Sequence, residues 1–492
     1  MNTKIILLTI LISITIFGVV VAQNNLSQML YDQYPQFKEN EIVEKRFSHE
    51  ELMEALKKLH KSDLIKIVNA GHSIEGREIK LIQIGTGPIN VMAWSQMHGD
   101  ESTATMALLD LINFFDSDNK NFADVRKLIT DKISFYFIPM LNPDGTENFT
   151  RRNDLDIDIN RDALRLQFPE SKILKAVRDS LKPVFAFNLH DQSTRYTVGN
   201  SYKVATISFL APAYNYEKDI NEVRENAMKL IVHLKKELDN FIPGHIAKYS
   251  DDFEPRAFGD NFVKWGNSLI LIESGGWKNN YEKQFLRKIN FIALISGLYS
   301  IANGSYKNES IEDYKAIPQN QKKLFDLLLR NVTINNYEKE YIIDIGINQN
   351  EEGTSDNRDF YFNGTIEDIG DLSTFYGFDE IDCKGMKLKQ AKIYPDTFAN
   401  INDLKKIDIP KRILSNGYSF VKVDSIVTDD KFTLLPINVI KSDMGFKVEF
   451  GINEPANFIL TENDELVFTC VNGFLYDVRS QKIYIKNGRI FK

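Results

Sequence analysis

Two apolar runs in this chain stop abruptly at a single titratable residue. Val184–Leu189 ends at His190, and Ser268–Ile272 ends at Glu273, with Gly275 and Gly276 close behind. Runs this short and continuous read as strands buried on both faces, as in a sheet covered by helices on each side. A histidine or glutamate at the carboxyl end of such a strand points into the crevice where open α/β sheets carry their chemistry. The flanking pattern agrees. Strands are expected at Ile79–Gly85, Asn90–Gln96 and Ile133–Met140, and helices at Thr103–Phe115, Ile220–Leu238 and Phe291–Ala302. Such alternation between Glu41 and Glu309 specifies an α/β domain.

The chain has 492 residues, more than one α/β domain needs. Tyr306–Asn336 is polar, with an expected helix at Gln319–Leu329, and reads as a junction. Beyond it, strand-like segments alternate with turns: Tyr341–Ile347, Phe360–Ile366, Thr433–Val439, Phe446–Phe450, Leu466–Val471 and Lys482–Ile485. The expected division is an α/β domain over residues 23–310, a linker over 311–337 and a β-rich domain over 338–492. At the start, Ile5–Ala22 is apolar, and the small residues Val20, Val21 and Ala22 precede polar Gln23. Residues 1–22 are therefore expected to be a cleaved signal peptide, and the protein to be exported, either secreted or periplasmic. Left uncut, the same stretch is long enough to anchor the chain. No second apolar stretch of spanning length is expected, hence no membrane span after signal removal.

Composition narrows the chemistry. With 60 basic and 68 acidic residues the formal charge is −8, and no run of Lys or Arg offsets it, so nucleic acid is not an expected partner. The only cysteines, Cys383 and Cys470, are read as small buried hydrophobes, with pairing open to them in an oxidising compartment. Any metal must then be held by histidine and carboxylate.

Two of the seven histidines begin an H-x-x-E tetrad, His72–Glu75 and His98–Glu101. Context separates them. His98-Gly99-Asp100-Glu101 follows an expected strand and opens an expected helix, whereas His72 and Glu75 sit in a glycine-bounded loop and are read as loop structure. A catalytic zinc needs three protein ligands and one open position. His98 and Glu101 supply two, and His190, at another strand end, supplies the third. Glu273 is placed to act as general base on a metal-bound water.

Six segments in the same order resemble the zinc carboxypeptidases of the carboxypeptidase A type, peptidase family M14. These are Gly71-His72-Ser73-Ile74-Glu75-Gly76-Arg77, His98-Gly99-Asp100-Glu101, Asn142-Pro143-Asp144-Gly145, Asp158-Ile159-Asn160-Arg161-Asp162, His190 and Glu273. The resemblance covers roughly Gly71 to Gly276. It implies an α/β sandwich around a mixed eight-stranded sheet, with a single Zn2+ on His98, Glu101 and His190. It further implies that Glu273 moves the proton and that Arg151 stabilises the oxyanion, although Arg152 leaves that assignment open by one place. Asn160 and Arg161 would hold a terminal carboxylate, Arg77 would bind substrate further along the peptide, and Asp158 would fix the tautomer of His98. Tyr249 is the only tyrosine near the position of the family's substrate-capping residue, and its register is open. In the second domain, Gly364–Leu372 and Glu380–Gly385 resemble the small β-domain that accompanies metal-dependent amidohydrolases, but the matching H-x-H motif is absent.

The function implied is an exported zinc metallocarboxypeptidase, its partner a peptide or protein with a free C-terminus. A zinc-dependent amidase or deacylase acting on cell-wall peptides is the second reading, since those peptides also end in carboxylates. A non-catalytic peptide-binding protein is the third, and the joint retention of His98, Glu101, His190 and Glu273 argues against it.

Overall fold

The computed structural model describes residues 26–59, 63–336 and 339–492; the expected signal peptide at 1–22 and His60 lie outside these. The chain forms two compact units. One runs to Gly199 and resumes over Lys203–Lys322; the other comprises Asn200–Tyr202 and Lys323–Lys492.

The first unit is built on a mixed eight-stranded sheet. Its strands are β1 (Ile65–His72), β2 (Glu78–Ile84), β3 (Ile89–Trp94), β4 (Ile133–Ile138), β5 (Phe185–Asp191), β7 (Ile207–Leu210), β8 (Ile246–Lys248) and β9 (Ser268–Ser274), in the order β1-β2-β4-β3-β5-β9-β7-β8. The short strand β6 (Tyr196–Val198) pairs instead with β10 (Asn320–Lys322). Strands β3, β5 and β9 are adjacent and parallel, so their carboxyl ends lie together.

Alternate residues of these strands feed two separate cores, which is why the runs look continuously apolar. Val91, Ala93, Phe185, Phe187, Ile270 and Ile272 pack on one face, with the helices Thr103–Asp116, Glu222–Leu238 and Gln284–Asn303. Met92, Trp94, Ala186 and Leu269 pack on the other, with Pro169–Leu181 and Phe258–Lys264. The result is an α/β sandwich. Helix Gln284–Asn303 begins seven residues before the expected Phe291 and is long and apolar enough to cross a membrane. Its apolar stretch is 78% buried, so here it is a core helix that is apolar on all sides because protein surrounds it. The same helix carries Arg287, fully buried, which pairs with buried Asp110 and donates to the carbonyls of Glu39 and Ile42. Tyr34 and the Glu39 amide also bond Asp110, so the segment leading to the helix His49–Leu59 is bolted to the core.

The second unit is β-rich. It contains a nine-stranded sheet and a five-stranded sheet. The expected helix Gln319–Leu329 does not form. Its residues enter two strands, Asn320–Lys322 and Leu324–Asn336, and the latter is the first strand of the second unit, so most of the expected linker is sheet. Leu327, Leu329 and Val332 face one apolar cluster while Phe325 and Leu328 face another. A run buried on both sides carries no periodicity to tell strand from helix. The expected strand Phe446–Phe450 is absent as well, and those residues are irregular. Cys383 and Cys470 are both buried and unpaired.

Candidate metal centre

His98 lies four residues past β3 in a loop with little freedom. Gln96 adopts a left-handed backbone (φ 44°), and its side-chain amide donates to Gly99 O and Thr146 Oγ1. Such a conformation costs a non-glycine residue on the order of 1–3 kcal/mol and persists only where its surroundings enforce it. Gly99 lies against the backbone of the Asn142–Gly145 turn: a Cβ there would stand 2.1 Å from the carbonyl carbon of Gly145. Only glycine fits, which explains the second place of the His98–Glu101 tetrad.

The carboxyl ends of two strands, β3 and β5, then bring three side chains together. Glu101 Oε1 is 2.7 Å from His98 Nδ1, and Glu101 Oε2 is 2.6 Å from His190 Nδ1. The two Nδ1 atoms are 3.2 Å apart. All three residues are buried, and their ligand atoms lie within 4.8 Å of one another. On its outer side, His98 Nε2 meets Asp158 Oδ1 at 3.2 Å. That contact reserves Nδ1 for the centre. Two imidazole nitrogens and a carboxylate converging from different elements fit one zinc ion by donor type and number.

Electrostatics agree with a cation-seeking site. Burial opposes a charged His98, yet Glu101 and the Asp158 hydrogen bond outweigh it and lift the imidazole to about 9. Glu101 is buried too, but the two histidines hold it well below the usual carboxylate range. Burial lowers His190. Glu273 faces His190 directly across the β5–β9 ladder. Its carboxyl is raised well above the ordinary value by burial and by the charge of Glu101. A carboxylate with raised proton affinity, one strand from a metal ligand, is suited to general-base work.

Arg151 is the arginine that reaches the centre. Its Nη1 is 3.1 Å from His98 Nδ1 and 3.4 Å from Glu101 Oε1, and its Nε and Nη2 both donate to Asp158 Oδ2. Arg152 turns away to Asp156, donating to its carbonyl at 2.9 Å. Asn160 and Arg161 follow in a one-turn 3-10 helix whose start is capped by Asp158, which accepts from the Asn160 amide. Asn160 Oδ1 accepts from the Phe258 amide at 2.9 Å, and Arg161 Nη1 donates to Asn160 O. Arg77 is engaged elsewhere: it pairs with Glu75 and with Asp144, whose carboxylate also takes Ser73 Oγ and the Glu75 amide. It holds the early loop to the Asn142–Gly145 turn, and His72 and Glu75 stay out of the metal cluster.

Tyr249 follows β8, its amide bonded to Phe209 O. Burial and the nearby Glu273 carboxylate raise its phenol. That proximity brings the tyrosine of open register to the centre. Sequence reasoning gave no role to Asp191, whose amide donates to Glu101 Oε2 and whose carboxylate accepts from Thr103 Oγ1 at 2.5 Å. Burial pushes its carboxyl up to about 6. Its place directly after His190 was the available signal.

Comparison with known proteins is consistent with this geometry. Residues 49–184 match the profile described as zinc carboxypeptidase, peptidase M14. Carboxypeptidase SOL1 of Arabidopsis thaliana is 28% identical over 158 residues, covering 28% of this chain and 32% of that protein. Carboxypeptidase M of Mus musculus is 30% identical over 112 residues, covering 21% and 25%. The chain thus spans about a third and a quarter of the lengths of these relatives. Among solved structures, a metallo-carboxypeptidase from Burkholderia cenocepacia is 16% identical, covering 53% of this chain and 70% of that one, with a TM-score of 0.43. Carboxypeptidase A from Helicoverpa armigera is 15% identical, covering 60% and 82%, also with a TM-score of 0.43.

Proposed function

We propose that this chain, whose residues 49–184 match the zinc carboxypeptidase profile, is an exported metallocarboxypeptidase releasing C-terminal residues from peptides. The observation that carries this reading is the convergence of His98, Glu101 and His190, with Glu273 opposite His190 on the next strand.

His98 and His190 would hold the ion through Nδ1 and Glu101 through its carboxylate. When bound, zinc supplies Lewis acidity, polarising a carbonyl and bringing the pKa of water near ~7. The rest is done by side chains. Glu273 takes the proton of the attacking water and returns it to the leaving amine; burial raises its proton affinity, which makes it a stronger base than an exposed glutamate. Arg151, oriented by its two bonds to Asp158, presents Nη1 to the oxyanion that develops on the scissile carbonyl. Asn160 and Arg161 receive the terminal carboxylate, for which a planar guanidinium is well shaped. Tyr249, whose phenol feels the charge of Glu273, would cover the bound substrate. Export rests on the apolar run ending at Ala22.

The test is a pair of peptides identical except for a free or amidated C-terminus, digested with and without a zinc chelator. The free acid should be cut and the amide cut far more slowly, by roughly thirty- to a thousand-fold in kcat/KM. Chelation should abolish both. Equal cleavage of acid and amide would replace the carboxypeptidase reading with an amidase or deacylase.

A further inference from the structure

Arg161 shares a carboxylate with a second arginine. Its Nε lies 3.5 Å from Glu254 Oε2. Arg256 grips the same carboxylate with both arms of its guanidinium, Nε to Oε1 at 2.9 Å and Nη2 to Oε2 at 2.7 Å. The Arg256 amide adds a third bond to Oε1 at 3.1 Å. The grip is therefore unequal: a bidentate fork from Arg256 against one long contact from Arg161.

The loop bearing Glu254 and Arg256 is stitched to the turn bearing Arg161. Asn160 Oδ1 accepts from the Phe258 amide, and the Ala163 amide donates to Arg256 O at 3.1 Å. The Glu254 amide is fixed in turn by Asp260 Oδ1 at 3.0 Å. A carboxylate held beside Arg161 by so many backbone contacts is part of the site's construction. Hydrogen bonds from Arg256 keep it ionised, with its pKa down at about 2.

We infer that Glu254 is a built-in stand-in for the substrate's terminal carboxylate on Arg161, and that Arg256 sets how easily it yields. This rests on the reading of Arg161 as the carboxylate handle. An arriving carboxylate must compete with Glu254 for Arg161, and two like charges cannot share one guanidinium without cost. Arg256 gives Glu254 a partner to remain with when Arg161 is taken, so the exchange leaves no acid unpaired. Glu254 and Arg256 are positioning residues: they act on the substrate through Arg161 and on binding more than on the chemical step.

The test is a double-mutant cycle in the zinc-loaded, full-length enzyme: E254Q, R256A and both together, with R161A alongside. KM and kcat are measured on free-acid and amidated forms of one peptide, and calorimetry measures binding of a free-acid dipeptide. E254Q should lower KM for the acid by about threefold or more, and R256A should raise it by a similar factor, with kcat little changed. In the E254Q background R256A should have no effect, because there is no carboxylate left to restrain; R256K should restore part of the loss. The amidated peptide should respond to none of these changes. Additive effects in the cycle, or equal shifts for acid and amide, would overturn the inference. The two ideas fail separately. If R161A leaves the preference for acid over amide intact, the carboxylate handle itself is lost; if R161A removes that preference while the cycle is flat, only the role of Glu254 is lost.

Discussion

Arg151 and Asp158 are joined twice, through Nε at 3.2 Å and Nη2 at 3.0 Å, both to Asp158 Oδ2, while the other oxygen of Asp158 meets His98 Nε2 at 3.2 Å. One carboxylate thus orients a metal-site histidine and the arginine proposed for the oxyanion. Burial opposes its charge, but His98 and Arg151 hold its pKa well below the ordinary aspartate value.

The metal follows first. His190→Ala removes one of three converging ligands, so the purified parent should carry about one zinc per chain and the variant far less at equal free zinc. Elemental analysis after gel filtration reads this directly. A variant that retains full zinc would exclude His190 from the centre.

Asp158→Asn keeps the shape and removes the charge. Loss of such an outer carboxylate typically weakens metal binding by about 10–100-fold. Zinc affinity from competition with a chromogenic chelator should fall in that range, and kcat should fall too, because the single amide oxygen cannot accept from both His98 and Arg151 and carries no charge to hold the guanidinium. Unchanged affinity would show that His98 needs no help to present Nδ1.

Glu273→Gln should keep zinc and lower kcat by several orders of magnitude, since the proton acceptor is gone. In the parent, the active form is the carboxylate and its pKa is raised above the ordinary 4.5. Activity should therefore be lost as pH falls through a value above 4.5, and the acid limb of kcat/KM locates it. A limb at or below 4.5 would contradict the raised carboxyl.

His233 gives a prediction away from the centre. Burial pushes this imidazole down to about 4, even with Glu309 3.8 Å away. Unfolded, it titrates near 6.5. Between these values the unfolded chain binds a proton that the folded chain refuses, so stability is full above 6.5 and declines as pH falls towards 4, by about 3 kcal/mol at most. Tryptophans 94, 265 and 277 all lie in the first unit, so denaturant unfolding followed by their fluorescence reports on that unit. His233→Gln should flatten the decline; an identical slope would assign it to other groups.

The geometry of the candidate centre was legible in the sequence where it depends on strand ends. His190 and Glu273 could be found because each interrupts an apolar run, and the structure places them opposite each other. What depends on distant loops meeting was not legible. Nothing in Glu254-Pro255-Arg256 signals Arg161, more than ninety residues earlier, and nothing near Arg77 marks it as a partner of Asp144. Of the helix expected at Gln319–Leu329, the part from Leu324 on looked helical because both faces of that strand are buried, while Phe446–Phe450 resembled a strand and pairs with nothing regular.

The direct pairing of His190 with Glu273 carries one more consequence. Two side chains on neighbouring parallel strands keep their separation through the backbone ladder, at the ~4.8 Å strand spacing, and not through their own rotamers. Adding or deleting one residue within β5 or β9 would turn one of the pair to the opposite face of the sheet, among the phenylalanines and isoleucines of the other core. Repacking by substitution leaves that registration intact. The machinery of this centre should therefore accept many changes of side chain along β5 and β9, and no change in their length.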